Sequence, residues 1–180
     1  MRRAISHPSG FTLLETTLAV TLLAIALLVL TTTYGSASKV ANDAHFHVRA
    51  SAENRRSLTA VANVLRGADL NTIVGFDSMG QAKALTFSRV EGATLSARTH
   101  APSEVLTWES GSVSVAGVPI GQVALLASGV KSTLAKHVPQ NGFVVTRKDD
   151  TLVIQLTTSY PRAGPDPLEV RGRTAVTLRN

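Results

Sequence analysis

Glu15 is the only ionisable side chain in a long apolar run, and its position indicates what chemistry this segment can support. The run extends from Phe11 to Leu30, contains no Pro or Gly, and is otherwise interrupted only by threonines. A carboxylate inside a bilayer costs about 2.5–3.5 kcal/mol on insertion scales, so an intramembrane acid is a functional hypothesis by default. The run carries no base to neutralise it, and Arg2 and Arg3 lie upstream of a Pro8-Ser9-Gly10 break.

Cleavage of the peptide bond between Gly10 and Phe11 would create the missing positive charge. The new α-amine would lie four residues before Glu15, about one turn of helix. It could pair with the Glu15 carboxylate of its own chain or of a neighbouring chain packed alongside. These residue types and their spacing therefore favour proteolytic processing followed by charge pairing.

The apolar run has the length of a membrane span. Its residues, at about 1.5 Å of rise each, give roughly 30 Å of helix, the thickness of the hydrocarbon core. The apolar region of a secretory signal is shorter, about 7–15 residues. We therefore expect a leader over residues 1–10 and a transmembrane helix over residues 11–33. Basic residues precede the span and none follows until Lys39, which predicts a cytoplasmic N-terminus and an extracytoplasmic C-terminal domain.

Residues 34–70 are expected to continue the same helix as an amphipathic segment. Apolar residues recur mostly at intervals of three or four, with charged residues between them, and Gly67 is suited to a C-cap. The positions expected to face the domain are Val40, Ala44, Val48, Ala52, Leu58, Val61, Val64 and Leu65.

The sequence pattern of residues 71–180 predicts a β-rich globular domain. Short β-type runs alternate with joints marked by glycine, among them Gly111 and Gly121. The clearest hairpin pairs residues 143–147 with 152–159 through Asp149-Asp150. The other predicted strands cover residues 84–90, 94–99, 105–109, 112–116, 122–127, 130–138 and 174–178. A long helix covered by an antiparallel sheet is an α+β fold.

The N-terminal segment resembles the processing site of type IV pilins and type II secretion pseudopilins. The resemblance rests on Gly10, the following Phe11-Thr12-Leu13-Leu14-Glu15 and the apolar helix, and covers about the first 35 residues. It implies that prepilin peptidase cuts after Gly10 and methylates Phe11, and that Glu15 guides assembly. Many major pilins carry a proline about two-thirds along the span, whereas this chain has none between Pro8 and Pro102.

The resemblance further implies a pilin-like fold and a minor pilin or pseudopilin subunit, most similar to the J type. Such a subunit resides in the bacterial inner membrane, then joins other pilins through its N-terminal helix in a filament for secretion or pilus biogenesis. Two alternatives remain open. An ordinary signal anchor would tether a β-rich binding domain without filaments, and a secretory signal would be cut after Gly35-Ser36-Ala37, before Ser38.

No pattern in the chain indicates an enzyme, a metal site or a cofactor. The helical positions of His45 and His47 cannot both reach one ion, while His100 and His137 lack an acidic residue at ligand spacing. Asp149-Asp150 fits a turn better than a calcium loop, and Trp108 fits a core or interface anchor better than a ligand platform. The net charge of +6 is scattered, which does not support a nucleic-acid surface. The absence of cysteine excludes disulfides and thiolate sites.

Overall fold

The protein has an α+β fold with one long N-terminal helix followed by antiparallel strands. The computed structural model describes residues 12–93, 98–115, 117–162 and 166–178. Helix α1 spans Leu13–Arg66 and is followed by a short 3-10 helix, Leu70–Thr72. The chain divides into two compact units, with the boundary between Phe46 and His47, and each unit is described by itself.

The strands belong to the C-terminal unit and pair antiparallel throughout. They are β1 (Gln81–Ala82), β2 (Ala84–Phe87), β3 (Val90–Ala93), β4 (Arg98–His100), β5 (Glu104–Val115), β6 (Val118–Ala127), β7 (Val130–Pro139), β8 (Phe143–Lys148), β9 (Thr151–Tyr160) and β10 (Leu168–Thr177). The described strands form two four-stranded sheets, ordered β1-β8-β9-β10 and β2-β5-β6-β7, and the pair β3-β4. Residues 94–97, in the strand predicted over 94–99, lie outside the described part of the chain.

The predicted hairpin over residues 143–159 is confirmed. Strands β8 and β9 pair continuously from Phe143 opposite Leu156 to Lys148 opposite Thr151. Asp149 and Asp150 form the turn, and Asp149 has a φ of 51°, a left-handed conformation that Asp tolerates better than most residues. Asp149 and Asp150 therefore form the hairpin turn, as the sequence indicated.

Two glycines that the sequence suggested as joints lie inside strands instead. Strand β5 continues through Gly111, and β6 begins before Gly121. A Cβ on Gly111 would lie 2.4 Å from the Ile120 carbonyl oxygen, and one on Gly121 would lie 1.9 Å from the Glu109 carbonyl oxygen. Glycine is needed at both positions because the two backbones approach too closely for a side chain. The two strands predicted over residues 105–109 and 112–116 are replaced by the single strand β5, which has a register shift between Ser110 and Val113; Ala116 lies outside the described residues.

One apolar core joins α1 to strands of both large sheets. Its fully buried side chains include Leu65 of α1, Leu106 and Val123 of one sheet, and Val145 and Ile154 of the other. Trp108 packs at the edge of this core, half-buried, and its indole N–H donates to the Val138 carbonyl oxygen at 2.9 Å. The prediction that Trp108 is a core anchor is confirmed.

Within the C-terminal unit, the face of α1 that contacts the sheet differs from the predicted one. Leu58, Val61 and Leu65 are buried as expected and Val64 is half-buried, whereas the predicted positions Val48 and Ala52 are exposed. Val40 and Ala44, in the N-terminal unit, are exposed there. The buried stripe instead begins at Ala50 and includes two polar residues, Asn54 and Ser57. Counting only apolar residues therefore gave the wrong face at Val48 and Ala52, because the polar side chain of Asn54 helps to set the contact.

Asn54 and Gly172 form this contact together. The Asn54 amide nitrogen donates to the Thr158 hydroxyl at 3.0 Å and to the Val170 carbonyl oxygen at 3.1 Å. A Cβ on Gly172 would lie 2.4 Å from Asn54 Oδ1 and 2.3 Å from Leu58 Cδ1. Strand β10 begins at Leu168, earlier than the predicted Thr174, and its glycine lets the helix lie close enough for the amide to reach the sheet.

Candidate functional site

Thr12 immediately precedes α1, and Glu15 lies in the first turn of the helix. The Glu15 backbone N–H donates to the Thr12 carbonyl oxygen at 3.0 Å and is 3.3 Å from the Thr12 hydroxyl oxygen. The Thr16 N–H donates to the same Thr12 carbonyl at 3.2 Å. Thr12 therefore acts as the N-cap residue, and Thr12-x-x-Glu15 has the spacing of a capping box. The sequence analysis did not use this spacing, although it was a readable signal for the start of the helix.

The position of Glu15 is electrostatically suited to a carboxylate. The first turn of a helix carries unsatisfied N–H groups and the positive end of the helix dipole, which favour a negative charge by about 0.3–1 kcal/mol at an exposed site. The side chain is exposed in the N-terminal unit. The helix start thus holds the carboxylate without burying it, and leaves it available to a cation supplied by another group.

The helix after Glu15 contains a candidate membrane span. Its most apolar window of 18 residues has a mean hydropathy of 2.4 and no buried residue. The large apolar side chains are exposed, for example Leu18 at 61% and Leu28 at 67%. The described part of the N-terminal unit therefore presents an apolar surface with the length and composition of a membrane-crossing helix.

The hydroxyl groups along this helix are satisfied by its own backbone. Each donates to a carbonyl oxygen three or four residues earlier, at 2.7 to 3.0 Å, and the donors are Thr16, Thr17, Thr21, Thr31, Thr32, Thr33 and Ser36. Lipid offers no hydrogen-bond partner, so a hydroxyl bonded within the helix can enter lipid at lower cost than a free one. Between residues 13 and 38 this leaves Glu15 as the only charged side chain.

Gly10 and Phe11, the predicted cleavage and methylation positions, lie outside the described residues. The structure therefore places Glu15 alone of the three predicted site residues, and the cleavage prediction remains a prediction. The predicted boundaries at residues 10, 33 and 70 also remain predictions. The last of them falls in the 3-10 helix after the end of α1 at Arg66.

Two histidines acquire acidic neighbours that sequence spacing did not reveal. His100 Nε2 lies 3.8 Å from Asp69 Oδ2, and His137 Nδ1 lies 3.9 Å from Glu53 Oε1. Both contacts arise from tertiary structure, which explains why a search by ligand spacing did not find them. Within the described ranges, no group of three or more potential metal-ligating side chains comes together.

The comparisons with known proteins come to a negative result. The chain matches no protein-family model, no curated protein and no solved structure at a significant level. The functional interpretation therefore depends on the helix start and its surface.

Tyr160 is a titratable group of the C-terminal unit whose environment strongly shifts its pKa. Its ring centroid lies 4.9 Å from that of His137, and its side chain is buried. Burial raises the pKa of Tyr160 to about 12, a hydrogen bond with Thr158 opposes this, and the negative charge of Glu53 adds to it. The folded chain therefore keeps the phenol proton at pH values where the unfolded chain, with a pKa of about 10, has lost it.

We expect this shift to appear as a loss of stability in alkali. Because the folded state holds the proton more tightly, the contribution of Tyr160 is complete below about pH 10 and declines as the pH rises toward about 12. The chain has two tyrosines, so a Tyr34→Phe variant leaves Tyr160 as the only one. Its near-ultraviolet absorbance should titrate at about pH 12 when folded. A folded midpoint equal to that in denaturant would contradict the assignment.

Proposed function

We propose that the protein is a minor pilin or pseudopilin subunit, an assembly protein rather than an enzyme. The observation that carries the proposal is an exposed carboxylate in the first turn of α1, in a segment (residues 13–33) whose other side chains are apolar or bonded to the backbone of the helix. A carboxylate is energetically unfavourable in lipid, so its presence at the start of this helix indicates a functional role. Pairing with a positively charged N-terminus provides one.

Processing would create that N-terminus. Prepilin peptidase would cleave between Gly10 and Phe11 and methylate the new α-amine of Phe11. Methylation of an amine retains its positive charge, so the modified terminus can still pair with a carboxylate. The Phe11 amine of a neighbouring subunit would then neutralise Glu15 during assembly into a type IV pilus or a type II secretion pseudopilus.

The apolar helix would serve in two environments in turn. Before assembly it would span the bacterial inner membrane, with the N-terminus in the cytoplasm and the β-rich unit outside. In the filament it would exchange lipid contacts for contacts with the helices of other pilins. This exchange is near neutral for apolar side chains, because lipid tails are as apolar as a leucine neighbour. The Glu15 pair would therefore supply the preference for the filament and its register.

N-terminal sequencing of the mature protein tests this proposal against the two alternatives. A mature chain that begins at Phe11, with a methylated amine, supports a pilin or pseudopilin. A chain that begins at Met1 supports a signal-anchored β-rich binding domain, and one that begins at Ser38 supports a secretory signal. Either of the last two results would contradict the proposal.

Substitution of Gly10 should control the processing step. We expect Gly10→Ala to be cleaved partly and Gly10→Leu to remain uncut, because a large side chain next to the scissile bond obstructs the peptidase. Intact mass measurement distinguishes the two forms, since cleavage removes ten residues. Gly35→Leu is the matched control, because nothing lies within 4 Å of a Cβ at Gly35. Normal cleavage of Gly10→Leu would show that the site lies elsewhere.

A further inference from the structure

A second exposed surface lies on the C-terminal half of α1, on the side of the helix that does not face the sheet. Its members are Val48, Arg49, Ala52, Arg55 and Arg56, here called the arginine face. All five are exposed, and Val48 is 70% exposed. On the other side of the same turns, Ala50, Asn54 and Leu58 are buried in the C-terminal unit. The arginine face is therefore not part of the contact that folds this unit.

The three arginines of this face carry charge that the described residues do not neutralise. Some cations of the unit are paired, for example Arg89, which lies 2.9 Å from Glu104, and Lys131, which contacts Glu109. The hydrogen bond from Lys131 is the main cause that lowers the pKa of Glu109, and the hydrogen bond from Gln122 adds to it. Within residues 12–93, 98–115, 117–162 and 166–178, neither Arg49, Arg55 nor Arg56 makes an ion pair.

We infer that the arginine face binds an acidic helix of a neighbouring subunit in the filament. This inference rests on the proposed function and names a partner for it. Val48, Ala52 and Arg55 follow the i, i+4, i+7 spacing of side chains on one helix face, the spacing with which a helix docks on a partner surface. Ala52 has a small side chain, which lets a second backbone approach closely.

The partner must be acidic, because burying these guanidinium groups against a surface without carboxylates would remove them from water and leave their charges unpaired. A buried charge without a partner costs several kcal/mol, whereas a guanidinium can bind a carboxylate with two parallel hydrogen bonds. The exposed methyl groups of Val48 favour a protein surface with apolar side chains over a polyphosphate surface. The face also contains no aromatic side chain on which a nucleic-acid base could stack.

The absence of cysteine from the chain makes the burial of this face measurable. An Ala52→Cys variant carries a single thiol, and its rate of alkylation by a maleimide reports how accessible the face is. We expect alkylation at least tenfold slower in filaments than in the processed, unassembled subunit in the membrane. Protection already present in the membrane would indicate anionic lipid, and protection that requires added DNA would indicate nucleic acid; either result would overturn the inference.

Charge variants test whether the arginines carry the contact. Arg55→Glu with Arg56→Glu should lower incorporation into filaments at least tenfold, while Arg55→Lys with Arg56→Lys should stay within about threefold of the unmodified chain, since lysine keeps the charge. The matched control is Arg171→Glu with Arg173→Glu, two exposed residues of β10, which should incorporate normally. Unchanged unfolding followed by Trp108 fluorescence would show that both reversed variants are folded.

The outcomes separate this inference from the proposed function. If the unmodified chain enters no filament, the proposed function fails, and the inference that rests on it fails too. If the unmodified chain enters filaments but the thiol at position 52 reacts as fast as in the free subunit, only the inference is overturned. Normal incorporation of the Arg55→Glu, Arg56→Glu chain would likewise overturn the inference alone.

Discussion

Glu15→Ala is expected to leave membrane insertion and cleavage intact and to reduce incorporation into filaments by roughly 100-fold. The carboxylate is penalised by about 2.5–3.5 kcal/mol in lipid, and this penalty is what pairing in the filament would relieve. Alanine removes the penalty in the membrane and therefore removes the reason to leave it. At about 1.4 kcal/mol per factor of ten, the lost preference corresponds to roughly two powers of ten.

The measurement compares the processed subunit in sheared filaments with that in membranes. Glu15→Gln should behave like Glu15→Ala, because the amide has nearly the same shape but no charge to pair. Thr21→Ala is the matched control on the same helix. The Thr21 hydroxyl is bonded to the Thr17 carbonyl at 2.8 Å, so its removal leaves no partner unsatisfied and should not change incorporation. A Glu15→Ala subunit that assembles as well as the unmodified chain would refute the pairing mechanism.

Asn54→Asp is expected to destabilise the C-terminal unit by about 3–5 kcal/mol, the usual cost of an uncompensated buried charge. The substitution keeps the size of the side chain but replaces the amide donor by an oxygen. The Val170 carbonyl, which now accepts a hydrogen bond at 3.1 Å, would face a second acceptor. Asn54 is only 2% exposed, so water cannot replace the lost donor.

Unfolding in denaturant, followed by the fluorescence of the single Trp108, measures this loss. Asn63→Asp provides the matched control, because Asn63 is exposed on the same helix and contacts Arg66. That change should alter stability by less than about 0.5 kcal/mol, as is usual for surface substitutions. Equal stability of the two variants would mean that the Asn54 contact does not hold the helix on the sheet.

Two glycines of the β-rich unit have a structural role that the sequence did not predict. Gly111 and Gly121 were interpreted as joints, since glycine is common in turns. In the folded chain they lie within β5 and β6, where the Ile120 and Glu109 carbonyls would collide with a side chain. A glycine required by close approach of two strands looks the same in sequence as a glycine required by a turn. Only the partner strand distinguishes the two.

The sequence by itself determined the features whose causes are local. An apolar run of membrane length with one acid near its start predicts a helix over those residues. Alternation on both sides of Asp149-Asp150 predicts the hairpin, because the paired residues are close along the chain. The α+β class followed from these same short-range patterns. Each could be read correctly because no distant residue was needed to explain it.

The tertiary structure alone decided which face of α1 is buried and how the strands divide into sheets. The face is set by Asn54, whose acceptors Leu156, Thr158 and Val170 lie more than 100 residues further along the chain. From sequence alone, a polar residue such as Asn54 is predicted to be exposed, because its hydrogen-bond partners are unknown. Gly172 is likewise predicted to weaken a strand, because its contact with the helix is visible only in the folded chain. Both belong to one contact, and burial of a polar group is favourable only where such a contact satisfies it.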